Sequence, residues 1–101
     1  MAQFDVYENT NEKTKANIPY LLDIQNDILK NLSSRAVIPL VVSKEGINLL
    51  NSRFVINEID VILSTAELAS IPIEILGNKV CSLQDRREEI IGAVDFLVTG
   101  F

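Results

Sequence analysis

No histidine and no tryptophan occur among the 101 residues, and there is only one cysteine. Without histidine the chain lacks the commonest general base and most zinc sites. A single thiol, Cys81 between Val80 and Ser82, cannot close an intrachain disulfide and suits a reducing cytosol, where it reads as a buried or half-buried structural thiol. Four glycines, at positions 46, 77, 92 and 100, are too dispersed to form a phosphate-cradling loop. No uninterrupted apolar run approaches the roughly 20 residues that cross a bilayer, and the opening Met1-Ala2-Gln3-Phe4-Asp5 resembles no signal peptide. Cationic clusters are also missing. The nine basic residues are scattered, only Arg86 and Arg87 adjoin, and the net charge of −5 disfavours autonomous binding to nucleic acid. An acidic protein suits a basic partner surface, such as one built to hold DNA.

What is present is hydrophobic material for one core: 48% of residues are apolar, which excludes wholesale disorder, and the length allows a single domain over residues 1–101. Gln3 to Glu8 alternates apolar and polar, the period of a strand with one buried face. The polar stretch Asn9 to Asn17 predicts a mobile hairpin loop, and Tyr20 to Ile24 a second strand. Asn26 to Ser34 reads as a loop or one helical turn, with Ile28 and Leu29 either core plugs or, if exposed, an apolar contact patch. Ala36 to Val42 is a β-branched run in which Pro39 demands an edge, bulge or bend. Phe54–Ile56 and Asp60–Leu63 flank Asn57-Glu58 as a hairpin. Thr65 to Ala69 is at most one helical turn, and Ile71 to Leu76 reads as a strand ended by the turn pair Gly77-Asn78.

The period then changes. Leu83, Ile90, Ile91, Val94, Leu97, Val98 and Phe101 recur at helical spacing, with Ser82 or Asp85 as candidate caps and Gly100 as the stop. The expected fold is mostly β with a C-terminal α-helix, a small barrel of five to seven strands. No nucleophile–base pair, metal-ligand cluster or cofactor motif emerges. The expectation is a binding protein with no catalytic residue, metal or cofactor. Glu88-Glu89 reads as a solvated helix face, and Asp23 and Asp27 as residues closing turns beside a strand.

Five blocks carry a family resemblance. Gln3-Phe4-Asp5-Val6-Tyr7, Asp23-Ile24-Gln25-Asn26-Asp27-Ile28-Leu29, Val37-Ile38-Pro39-Leu40, Ala69-Ser70-Ile71-Pro72-Ile73 and the closing Gly100-Phe101 run in the order of the CcdB toxins. The resemblance implies an SH3-like barrel of the CcdB/MazF kind, a cytoplasmic homodimer that belongs to a type II toxin–antitoxin system. It implies binding to the A subunit of DNA gyrase, trapping of the cleaved-DNA complex, neutralisation by a CcdA-like antitoxin and joint repression of the operon. In that division of labour the antitoxin supplies the DNA-binding domain, so no direct nucleic-acid or membrane contact is expected of this chain. Carried over residue by residue, the gyrase-facing positions are Ile28, Leu29, Asp95, Val98, Thr99, Gly100 and Phe101. Thr99 stands where the family pattern has Trp, and Asp95 and Val98 replace an Asn and a Phe of that face. The alternatives are a same-fold ribonuclease toxin of the MazF/Kid kind, which needs an Arg and acid–base cluster, and a non-toxic antitoxin-binding homologue.

Overall fold

A computed structural model describes residues 2–27, 32–43 and 52–100. Its seven strands are β1 (Asp5–Asn9), β2 (Tyr20–Asp23), β3 (Ser34–Val42), β4 (Arg53–Ile56), β5 (Ile59–Leu63), β6 (Ala69–Pro72) and β7 (Leu76–Ser82), followed by helix α1 (Arg87–Thr99). The sheet runs β4-β5-β3-β2-β1-β7, every pairing is antiparallel, and β6 adds to β3. The fold is therefore mostly β, a curled small-barrel sheet with a C-terminal helix, as the alternation of apolar residues predicts.

Pro39 explains how the sheet turns its corner. On one side β3 pairs continuously with β2, from Val37 opposite Asp23 to Leu40 opposite Tyr20. On the other side β6 pairs with Ser34 through Val37, whereas β5 takes over at Leu40. Pro39, which has no N–H to donate, falls in the gap between these two partners, so no ladder bond is lost there. Its carbonyl still accepts from the Ser64 amide at 3.0 Å, where the chain leaves β5.

The main core lies on one face. Val6, Tyr20, Leu22, Ile38, Leu40, Phe54, Ile56, Val61, Leu63 and Ile90 form a single buried cluster with Phe4. Because side chains alternate along a strand, the intervening residues project to the opposite face. There Tyr7, Leu21 and Val37 are buried alongside Asp5, Asp23 and Arg35. Both faces of β1, β2 and the first half of β3 are thus largely buried, and the second face is filled by polar as well as apolar side chains.

The β4–β5 hairpin closes on a two-residue turn in which Asn57 (φ 50°) and Glu58 (φ 69°) are both left-handed, with Ile56 opposite Ile59. Two positive φ values match the right-handed twist of the flanking strands, and Asn-Gly is the preferred pair for such a turn. Glu58→Gly removes the Cβ strain at the cost of unfolded-chain entropy. A net gain of about 0.5–1 kcal/mol is expected. Thermal unfolding should show the midpoint rising by a few degrees; an unchanged or lower midpoint contradicts this account of the turn.

Two sequence expectations are corrected. Ile71 to Leu76 is not one strand: β6 ends at Pro72, Ile73–Ile75 forms a 3-10 turn, and a new strand starts at Leu76. Gly77-Asn78, expected as a turn, instead lies inside β7. Gly77 is there for close approach, since a Cβ on it would lie 3.0 Å from Glu8 Cβ and 3.0 Å from Thr10 Cγ2. A tight strand contact and a turn both favour glycine, and the sequence alone does not separate them.

Candidate partner-binding face

Helix α1 is fastened at its beginning and bare at its end. Ile90 is 1% exposed and belongs to the core, with Leu83, Ala93 and Val94 packed partly against it. Beyond Val94 every described residue is exposed: Phe96 at 56%, Leu97 at 46% and Val98 at 76%. The apolar stripe read from the sequence is therefore buried only at its first half. Ile91, Leu97 and Val98 face solvent in the single chain, and three successive large apolar residues at a helix end form an uncovered patch.

The start of the helix differs from expectation. Gln84–Arg86 makes a 3-10 turn, α1 begins at Arg87, and neither Ser82 nor Asp85 caps it; Arg86 at the N-cap position makes no side-chain cap. The Ser82 hydroxyl instead accepts from the Gln84 amide at 3.2 Å, inside the preceding turn. Glu88 and Glu89 lie in the first turn, where the helix dipole favours anions. Arg86 does the fastening: its guanidinium carbon lies 4.3 Å from the Phe54 ring centroid, and its Nε donates to Glu89 Oε1 at 2.9 Å. A hydrogen bond from Ser52, with the neighbouring Arg86, holds the Glu89 carboxyl below the usual range against the opposing effect of burial.

The far end closes as expected. Gly100 adopts φ 79°, and its amide donates to the Phe96 carbonyl at 2.9 Å, while the Thr99 hydroxyl donates to the Asp95 carbonyl at 2.7 Å. No basic residue occupies the last turn, so the negative end of the helix and the exposed Asp95 lie together.

Of the seven expected site residues, Asp95, Val98, Thr99 and Gly100 lie on this protruding end, whereas Ile28, Leu29 and Phe101 lie outside the described residues. The sequence reading missed the N-terminal turn. Ala2 to Asp5 closes with the Asp5 amide donating to the Ala2 carbonyl at 3.1 Å, and Phe4 there has φ 72° while its side chain is buried. Gln3 donates from its amide to Asp27 Oδ1 and from Nε2 to the Ile24 carbonyl, both at 2.9 Å. Gln3, Phe4 and Ile24 then join Ile90, Ile91, Val94 and Asp95 around a shallow, mainly apolar cleft of about 140 Å³. The turn thus joins Ile24 and Asp27 to the helix face carrying Asp95. The only sequence signal was an aromatic beside Gln3, which alternation assigns to an ordinary strand.

Behind this face lies the buried polar layer. Asp23 and Arg35 are both fully buried, with Arg35 Nε donating to Asp23 Oδ2 at 2.9 Å and Nη2 lying 2.6 Å from the same oxygen. The Nη2 contact is ionic rather than an aligned hydrogen bond, and Nη1 has no acceptor among the described residues. The other oxygen, Oδ1, accepts from the Gln25 amide, while Gln25 Oε1 accepts from the Ala36 amide, both at 2.9 Å. Tyr7 donates its hydroxyl to Asp5 Oδ2 at 3.2 Å, and burial together with Asp5 pushes its pKa up to about 12. Lys79 Nζ lies 3.3 Å from Asp5 Oδ1. Burial also raises the half-buried Cys81 thiol, which packs beside the core.

Among the described residues, no three His, Cys, Asp or Glu side chains are grouped to hold a metal ion, and no helix is long and apolar enough to cross a membrane. A family model described as CcdB protein matches residues 3–100. The chain belongs to the CcdB family. That match spans both the barrel and the protruding helix end, and it makes the protein a toxin of the toxin–antitoxin kind. The CcdB resemblance read from five short blocks is thereby extended to the intervening chain, including residues 43–64, where those blocks were absent.

Proposed function

We propose that this CcdB-family toxin, a single domain over residues 1–101, acts in the cytoplasm as a homodimer that binds the A subunit of DNA gyrase and traps the complex holding cleaved DNA. The observation that carries the reading is the helix end: Phe96, Leu97 and Val98 uncovered beside Asp95 and the Gly100 stop, in a chain of this family. Catalysis is not needed for such toxicity. A ligand that prefers one conformation of its target shifts the population towards it by its differential affinity alone, and a preference of about 5.5 kcal/mol moves a two-state equilibrium from 1:99 to 99:1. Ile28, Leu29, Asp95, Val98, Thr99, Gly100 and Phe101 supply the gyrase contacts. A two-fold dimer presenting two helix ends matches a two-fold cavity between gyrase A subunits. A CcdA-like antitoxin neutralises the toxin and brings DNA binding to the joint repressor, in keeping with a net charge of −5 on this chain.

The test is a cleavage assay. Gyrase from the encoding bacterium, supercoiled plasmid, ATP and purified toxin should yield linear DNA after detergent and protease treatment, and the antitoxin should suppress it. Absence of both linear product and binding to a gyrase A fragment overturns the reading; specific cuts in RNA would favour a ribonuclease instead.

Dimerisation has its own measurement. Light scattering at micromolar concentration should give twice the 11.2 kDa chain mass, because one side of the apolar helix end requires cover. A clean monomer mass rules out the two-fold arrangement.

A further inference from the structure

Helix α1 is a cantilever, and its free end is aimed by its root. From Ile90, the last fully buried helix residue, to Gly100 is ten residues, or ~15 Å at ~1.5 Å per residue. Rotation about the root by about 10° therefore displaces the tip by about 3 Å, well beyond the ~0.5 Å within which a binding constellation must be held. Ile90 and its partly buried neighbours fix the depth of the helix. A row of apolar contacts resists such a swing poorly, because dispersion and hydrophobic burial are non-directional. Beside the backbone bond from the Leu83 amide to the Phe4 carbonyl, several directional contacts at the root meet on one side chain. Arg86 covers the Phe54 ring, donates from Nε to Glu89 one turn into the helix, and directs Nη2 to the Arg53 carbonyl at 3.4 Å. Phe54 is itself 3% exposed and set in the core, so the surface on which Arg86 rests is rigid. Glu89 also bonds Ser52, which gives the helix a second tie to the start of β4.

We propose that Arg86 is a positioning residue: through Phe54, Arg53 and Glu89 it sets the direction of α1 and thereby places Val98, Thr99 and Gly100 for the partner. This rests on the reading of the helix end as the gyrase-binding element. Arg86 itself lies more than three helical turns from those residues, at the opposite end of the helix.

The experiment compares wild type, Arg86→Ala, Arg86→Lys and a control, Leu21→Val, which lowers stability from the far face of the sheet. Calorimetric titration against a gyrase A fragment reads affinity, and methyl relaxation of Leu97 and Val98 reads the order of the helix end. With the aimed orientation populated only in part, Arg86→Ala should weaken apparent affinity roughly five- to tenfold and lower the methyl order parameters. Arg86→Lys should recover part of both, since a cation over the ring survives without the guanidinium hydrogen bonds. Leu21→Val should change neither. Wild-type affinity and methyl order in Arg86→Ala overturn the proposal, as does an equal affinity loss in Leu21→Val. If wild type itself does not bind the fragment, the gyrase reading fails, and the Leu97 and Val98 methyls alone decide whether Arg86 orders the helix end.

Discussion

Asp23→Ala should lower the stability of the protein by about 3–5 kcal/mol, because it leaves Arg35 charged, fully buried and unpaired. For a domain of this size that corresponds to a fall of roughly 15–25 °C in the unfolding midpoint, against a total stability of about 5–15 kcal/mol. The loss measures the orphaned charge and not the worth of the pair. Replacing both partners, Asp23→Leu with Arg35→Met, should restore stability to within about 1–2 kcal/mol of wild type or above it, since an apolar pair of similar volume avoids the desolvation of two ions. The Gln25 amide loses its Asp23 acceptor in both variants, which sets the residual cost.

The pH dependence of this comparison has a definite sign. Burial raises the Asp23 carboxyl above its ordinary 3.8, and the Arg35 hydrogen bond and the Gln25 amide counter it only in part. A carboxyl raised in the folded state contributes its stability below the unfolded value and loses it as pH climbs through the folded value. The double variant should therefore gain on wild type as pH rises from acid towards neutrality. Denaturant unfolding at a series of pH values checks this, and a gap that narrows with rising pH contradicts the role given to desolvation.

Deleting Thr99 to Phe101 should abolish gyrase binding and growth inhibition while leaving the unfolding midpoint nearly unchanged. The described part of this tail is exposed, with local bonds from Thr99 to the Asp95 carbonyl and from Gly100 to the Phe96 carbonyl. Frayed ends of this kind add little to global stability. Interface energy, by contrast, concentrates in a few anchors, each worth about 2 kcal/mol or more. Thr99→Trp, which restores the residue of the family pattern, should strengthen binding by a comparable amount if the target's aromatic pocket is kept. Calorimetric titration of the three proteins against one gyrase A fragment measures all of this. A truncated protein that binds as tightly as wild type moves the contact site elsewhere; one that unfolds makes Phe101 a core residue.

The deletion and the Asp23 substitution probe opposite kinds of residue, and the sequence exposes them to different degrees. Thr99 and Gly100 follow a run of helical periodicity, and glycine is the usual helix stop, so their place at a helix end is legible without coordinates. Arg35 begins a β-branched run as one polar letter among scattered basic residues. Nothing local distinguishes a solvated arginine at a strand start from one sealed beside Asp23, because burial of that face depends on what packs over it. The N-terminal turn is hidden for a related reason. Phe4 fits the alternation of a strand, and only its anchoring by the core and by Asp23 explains a left-handed backbone at a residue with a Cβ.

By itself the sequence determined the period-2 strands, the β4–β5 hairpin, the late change to helical spacing, the Gly100 stop and the family, since each depends on neighbours within a few residues or on ordered short blocks. Tertiary structure alone decided the division of β6 from β7, the passage of β3 from one partner to another at Pro39, the sealed Asp23–Arg35 pair, and the docking of α1 by its root. These last features join residues distant in the chain. Their energies come from desolvation and contact across strands, which exist only once the sheet has curled and which no local pattern encodes.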